Sequence, residues 1–300
     1  MFGANYLRLR NEYALNLLDS KINLKDYRFL KLRSVILENI ISATSPSNDT
    51  YHIIVPSGLF YKTICAEFEL YHVRAKMQYN DFSASSTISE SWKFTTFYYF
   101  IFFCNVALHR LLNRGYIYLD LTSASTLSTS LNVLLSDVVN IGTGNWSFRK
   151  LSETSSVVTI ELKKAGSNVH QLAWQDLKKT LKDFIANSSS KTTDPERSVL
   201  ENIYKNLRAN NDFSPSETRN YLNYVSEVAL DEIESKIVCP QPKIESFIKT
   251  LTTLNYNNSL ASNISFSIII GQYLFLLNSE LVNDLQGRDP KQFKLIRKVV

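Results

Sequence analysis

The chain has 300 residues, 44% hydrophobic and 20% charged, with only 8 glycines and 7 prolines. That composition excludes a disordered or fibrous chain and supplies the core of one large domain or two modest ones. A net charge of +5, with lysines and arginines scattered along the chain, permits nucleic-acid contact without requiring it.

The three cysteines, Cys65, Cys104 and Cys239, are far apart and form no C-x-x-C pair. This pattern speaks against a disulfide framework or a zinc site and for a reduced, cytoplasmic compartment. The first residues, MFGANYLRLRNEYALNLL, are charged throughout and lack the apolar core of a secretory signal.

In chain order, apolar residues near helical spacing predict helix over about 5–42. SATSPSND (42–49) reads as a loop, and YHIIVPSG (51–58) as a short strand or an extended entry stopped by Pro56. A helix follows from Leu59 to about Gln78. NDFSASSTISES (80–91) is a polar loop that offers an N-cap to the next helix, Trp92 to about Asn113. That helix is apolar on nearly every face, which places it at the centre of a bundle. Gly115 is the expected helix terminator in LLNRG.

Residues 116–150 are less regular, Ser/Thr-rich and then helical. GTGNWSFRKL and SSVVTIELKK read as the two strands of a hairpin, near 144–162. A helix with a Ser or Asn cap spans 167–185, and ANSSSKTTDPERS (186–198) is the linker candidate. Helices are expected over 196–209, 215–236, 243–254 and 259–285, with Pro195 and Pro215 at first-turn positions. The expected fold is therefore mainly α, a helical bundle with one small β-hairpin insertion. An N-terminal region, 1–190, and a C-terminal helical region, 191–300, form one unit with a soft boundary at 186–198. Two apolar stretches, 94–108 and 264–277, are shorter than the roughly 20 residues of a membrane span and are expected in the core.

FYYFIFFCNVALHRLLNRG (97–115) resembles the signature helix of HEPN-type helical proteins. The order of motifs resembles the YaaC-like branch more narrowly. That helix is followed by His170 and Trp174 in HQLAW, by Arg219, Asn223 and Tyr224 in RNYLNY, and by the late apolar helix ISFSIIIGQYLFLL. The resemblance implies a helical protein of bacterial defence or stress systems. It acts with a larger protein partner or as a homodimer, and in many members as a metal-independent RNase with an R-polar-x3-H motif. Here Tyr224 occupies the position of the catalytic histidine.

RNA cleavage through the 2′-OH needs a base, an acid and a cation on the phosphorane. Arg219 suits the cation role, because its planar fork matches phosphate oxygens. Asn220 could hold a phosphate, and Asn223 shares a helix face with Arg219. Tyr224 projects about 140° away and titrates near 10, so it is a poor base at neutral pH. The candidate catalytic set is Arg219, Asn220, Asn223, Tyr224 and His170. Trp174, His109, Arg110 and Arg114 are candidate binding residues, because NVALHRLLNR could line a cleft.

The bland alternative pairs Arg219 with Glu217 or Glu227 and packs Tyr224 and the histidines in the core. IGTGNW lacks a following Lys-Ser/Thr helix and reads as a turn. Glu161 and Lys163 in TIELKK form an E-x-K pair of a kind common by chance. No H-E-x-x-H, D-x-D or EF-hand pattern occurs, so neither metal nor cofactor is expected. Three functions remain open: a non-catalytic HEPN/YaaC-like interaction subunit, a metal-independent RNase using Arg219 and its neighbours, and an accessory protein binding RNA or DNA.

Overall fold

The computed structural model describes residues 3–18, 22, 26–27, 30–84, 89–188, 195–209, 215–224, 260–291 and 293–296. The elements in order are α1 (Ala4–Leu9), α2 (Leu32–Glu38), β1 (Ser42–Ser47), β2 (Thr50–Pro56), α3 (Ser57–Ala84) and α4 (Glu90–Leu111). Then come β3 (Arg114–Leu119), α5 (Leu121–Leu135), β4 (Gly144–Glu153), β5 (Val157–Lys164) and α6 (Val169–Asn187). The last are α7 (Pro195–Ala209), α8 (Pro215–Tyr224) and α9 (Leu260–Arg288). The expected helix 243–254 and part of 215–236 lie outside the described residues, as do residues 189–194 of the linker candidate.

Helices α3 and α4 pack along their length, and α9 lies across both. Helix α4 also touches α6, α8 and β3, so its apolar circumference has a partner on most sides. Its N-cap is Ser89, whose hydroxyl accepts the Trp92 N–H. Gly271 lets α9 approach α4: a Cβ there would meet Ile101 Cγ1 at 2.9 Å and Phe100 Cε1 at 3.1 Å. The contact is reinforced by Asn278, whose Nδ2 donates to the Cys104 carbonyl at 2.9 Å. Helix α9 is the one described helix long and apolar enough to cross a membrane, but 72% of its apolar window is buried inside the protein.

The β structure corrects the sequence expectation. The predicted hairpin is present as β4 and β5, but it belongs to a five-stranded antiparallel sheet in the order β1-β2-β5-β4-β3. The fold is mixed α/β rather than a helical bundle with a small insertion. Two strands were misread. SATSPS forms β1 at an edge, where a polar strand containing proline is tolerated. RGYIYL forms β3 at the other edge.

One sheet face is buried and apolar. Ile53 pairs with Ile160, Tyr51 with Leu162, Leu162 with Phe148, and Ile117 with Trp146. Helices α2, α3 and α5 contact the strands, and α5 touches both edge strands, so the sheet curls around it. The predicted helix over 5–42 is interrupted. A wider turn at Arg10–Ala14 and a tight one at Leu15–Leu17 follow α1 before α2 begins at Leu32.

Helix α4 ends differently from the expectation. Asn113, with φ 56°, takes the left-handed position after the helix. Gly115 already lies on β3, with φ 146°, and a Cβ there would run into Arg110 Nη1. Its role is a close approach of backbone to guanidinium rather than a helix stop.

Candidate functional site

Helix α4 turns Thr95, Tyr98, Tyr99 and Phe102 toward α8 and α6, as their i, i+3, i+4, i+7 spacing requires. Arg219 on α8 lies over both tyrosines, its Cζ 4.8 Å from the Tyr98 ring centre and 5.9 Å from that of Tyr99. Its Nη1 is 3.4 Å from the Tyr99 hydroxyl, and its Nε and Nη2 donate to Asn220 Oδ1 at 3.2 and 2.5 Å. One turn later Asn223 Oδ1 accepts from the Thr95 hydroxyl at 3.1 Å. Arg219 and Asn223 share a face, as their spacing predicts, and that face is the one against α4. Among the described residues Arg219 meets no carboxylate, so Glu217 does not supply the ion pair offered as the alternative. Glu227 and the Tyr224 side chain lie outside the described residues.

His170 joins the same cluster from the first turn of α6, whose N-cap is Asn168. Its Nδ1 is 2.7 Å from the Tyr98 hydroxyl, and its ring centre is 4.4 Å from that of Phe102. Burial, followed by the Arg219 charge, lowers its pKa, so the imidazole is neutral at pH 7. Burial raises the Tyr98 phenol well above its ordinary value, against the nearby Trp174 N–H and the Arg219 charge. A protonated, buried phenol needs an acceptor, and His170 Nδ1 supplies it. This assigns the ring proton to Nε2. Trp174 is buried one turn after His170, its ring 6.4 Å from Tyr98, and its indole N–H reaches no acceptor in hydrogen-bonding geometry.

The three remaining candidates divide between two cavities. His109 and Arg110 line a cavity of about 310 Å³ between α3, α4, β3 and α6. Arg114 lines a separate one of about 60 Å³ with Thr180 and Asp183. His109 is 3.3 Å from the Thr180 hydroxyl, to which Arg114 Nη2 donates at 2.5 Å. Burial, helped by the Arg114 charge, holds His109 at a pKa of about 3. His109 is therefore a neutral structural group, and Arg114 is its neighbour rather than a cleft residue beside Arg110.

Arg110 is buried under a clamp. Its Nε donates to Glu67 Oε2 at 2.5 Å and its Nη2 to the Tyr116 carbonyl at 2.7 Å. Its Cζ lies 4.9 Å from the Phe148 ring centre and 5.6 Å from that of Tyr71. Glu67 Oε1 accepts the Leu32 N–H at 2.9 Å, which ties the start of α2 to α3.

Sequence reasoning missed Tyr71 and Arg74 on α3 and Tyr116 and Tyr118 on β3, all lining the larger cavity. The legible signal was the alternation Tyr116-Ile117-Tyr118-Leu119 after Gly115, a strand pattern. Nothing in the sequence marks Arg74. The E-x-K pair is occupied: Glu161 takes both forks of Arg149, at 2.6 and 3.0 Å, and lies 3.7 Å from His52. Among the described residues no three His, Cys, Asp or Glu side chains gather into a metal-binding group.

Fold and site thus define a mixed α/β protein in which Tyr98 and Tyr99 of α4 gather Arg219 and a neutral His170, while Thr95 holds Asn223. No known protein family, curated protein or solved structure matches this chain.

Proposed function

We propose that the chain is a non-catalytic, HEPN/YaaC-like interaction subunit of a bacterial defence or stress system, working as a homodimer or with a larger protein partner. The observation that supports this reading is the orientation of Arg219 and Asn223 in RNYLNY toward α4. Arg219 lies flat on Tyr98 and Tyr99, and Asn223 meets Thr95, so the motif clasps α8 to α4. With Tyr98 donating to Nδ1, His170 Nε2 carries a proton and cannot take another from a 2′-OH. Such a motif holds a surface in place for a partner.

A second reading, a metal-independent RNase, is favoured by one observation. Arg219 meets no carboxylate among the described residues and shares Tyr98 with a neutral histidine.

One experiment separates them. The purified protein and its Arg219→Ala and His170→Ala variants are incubated with a mixed RNA pool, with and without EDTA. The subunit reading expects no cleavage by the folded wild type. It also expects Arg219→Ala to lower stability by about 1–2 kcal/mol, the size of a partly desolvated cation–π contact. EDTA-resistant cleavage that disappears in both variants would overturn it and establish the nuclease.

A further inference from the structure

The larger cavity, between α3, α4, β3 and α6, encloses about 310 Å³. Its walls are helices and a strand, so the space is formed before any ligand enters. That volume lies at the lower end of the roughly 300–1,000 Å³ range of small-molecule sites. At about 30 Å³ per water molecule it equals about ten waters. This is the bulk of a compound with one ring or two fused ones.

The lining selects the shape of the ligand. Phe102, Phe103, Val106, Ile117, Val169 and Ala173 give it apolar walls. Tyr71 and Phe103 stack at 6.1 Å with planes 29° apart. Tyr118 is 58% exposed at one side. Walls rich in aromatic rings favour a planar ring, which meets them by offset stacking or edge-to-face contact.

The charges select its ionic state. Two arginines line the cavity and no aspartate or glutamate does. Arg110 is buried and neutralised by Glu67, and His109 is held neutral by burial. Arg74 is exposed, and its Cζ lies 5.6 and 5.8 Å from the ring centres of Tyr71 and Phe103. It meets no carboxylate among the described residues. An arginine resting on aromatic faces is restrained there and keeps its fork for an anion. One open cation balances one negative charge. A phosphate monoester carries about −1.5 to −2 at pH 7, which leaves charge uncompensated. A carboxylate carries a single charge and matches the fork with two parallel hydrogen bonds.

We propose that this cavity binds a small aromatic monocarboxylate, its ring among Phe102, Phe103 and Val106 and its carboxylate on the Arg74 fork. The site goes beyond the subunit reading and does not rest on it. Arg74 is on α3, whereas Arg219 and Asn223 are on α8.

The test is ligand-observed NMR titration of the full chain with benzoate, p-hydroxybenzoate and indoleacetate. The neutral amide of each acid, acetate and phenyl phosphate are the controls. The proteins are wild type, Arg74→Ala and Val106→Trp, the last filling the cavity from its half-buried wall. The expected result is saturable binding of at least one of the three acids at millimolar concentration or below. That binding weakens on the order of tenfold in Arg74→Ala, the value of a hydrogen bond to a charged group, and is lost in Val106→Trp. The amide of the same acid should bind more weakly than the acid and be indifferent to Arg74→Ala. Acetate, which has the charge without the ring, should not saturate. Failure of all three acids to saturate would overturn the proposal, as would acid binding unchanged in Arg74→Ala or acetate binding as tightly as the aromatic acids. Phenyl phosphate as the tightest probe would overturn the carboxylate assignment. Arg74 is exposed and its truncation leaves the core intact, so the outcome does not hinge on Val106→Trp folding. RNA cleavage is read in a separate assay, so failure of this site and failure of the subunit reading are distinguishable.

Discussion

Truncating Glu67 to alanine tests the clamp around Arg110 most directly. The Glu67 and Arg110 side chains are 10% and 5% exposed, so the guanidinium left behind would be a buried charge without a counter-ion. Breaking such a pair from one side costs about 3–5 kcal/mol. Arg110 keeps the Tyr116 carbonyl and the faces of Tyr71 and Phe148. These place the expected loss near the low end, about 3 kcal/mol, to which the orphaned Leu32 N–H adds roughly 1 kcal/mol. Urea unfolding followed by tryptophan fluorescence measures it, with buried Trp146 among the reporters. The double variant Glu67→Leu/Arg110→Met removes both charges and is expected to recover at least about 1 kcal/mol relative to Glu67→Ala. A loss below about 1 kcal/mol in Glu67→Ala, or a double variant no better than the single one, would refute the reasoning.

Three further outcomes follow from buried groups. Burial, with Lys76 adding to it, holds His72 at a pKa of about 4, and His109 is held at about 3, both below an ordinary value near 6.5. The unfolded chain then binds protons that the folded chain refuses. Stability is full above pH 6.5 and falls with pH toward 4, by up to about 1.4 kcal/mol per unit per histidine. Unfolding curves at pH 7 and pH 5 should show this drop, and His72→Phe, stacked between Phe68 and Phe275, should reduce it; an equal drop in both proteins counts against the assignment. Gly271→Val should lower stability by about 1–3 kcal/mol through overpacking against Ile101 and Phe100, despite the better helix propensity of valine. In thermal denaturation, an unchanged midpoint would mean that α9 and α4 can separate freely. Glu69→Ala should speed amide exchange at Leu295 and Ile296, whose N–H groups its Oε1 accepts at 2.7 and 3.2 Å. Exchange rates like those of the wild type would show another anchor for that turn.

The helices were legible because their signals are local. Ser89 and Asn168 cap where polar residues precede apolar runs, and Pro195 and Pro215 stand in first turns. The central place of α4 followed from its lack of a polar face. The sheet was only partly legible, because its pairing is not local. Nothing in SATSPS reports that β2 will supply its backbone partners, and composition alone reads as loop. RGYIYL carried the strand alternation but was overshadowed by the Ser/Thr-rich helix after it. In the site, the Arg219–Asn223 face followed from helical phase. That it meets Tyr98, Tyr99 and Thr95 did not, because contact between α8 and α4 is set by tertiary packing. His170 joined the cluster for the same reason.

The strand order carries a consequence for how the chain is made. Strand β2 pairs with β5, and about a hundred residues lie between them, including all of α3 and α4. At ~5–20 residues per second a ribosome needs ~5–20 s to deliver β5 after β2. During that interval Tyr51, Ile53 and Val55 wait on a hairpin whose apolar face and open edge have nothing from β5 to cover them. The α3–α4 pair, built from near neighbours in sequence, can assemble first and shelter that face. Translation speed through residues 57–156 then becomes a determinant of yield, and slowing it would favour helix assembly over strand-to-strand association between nascent chains.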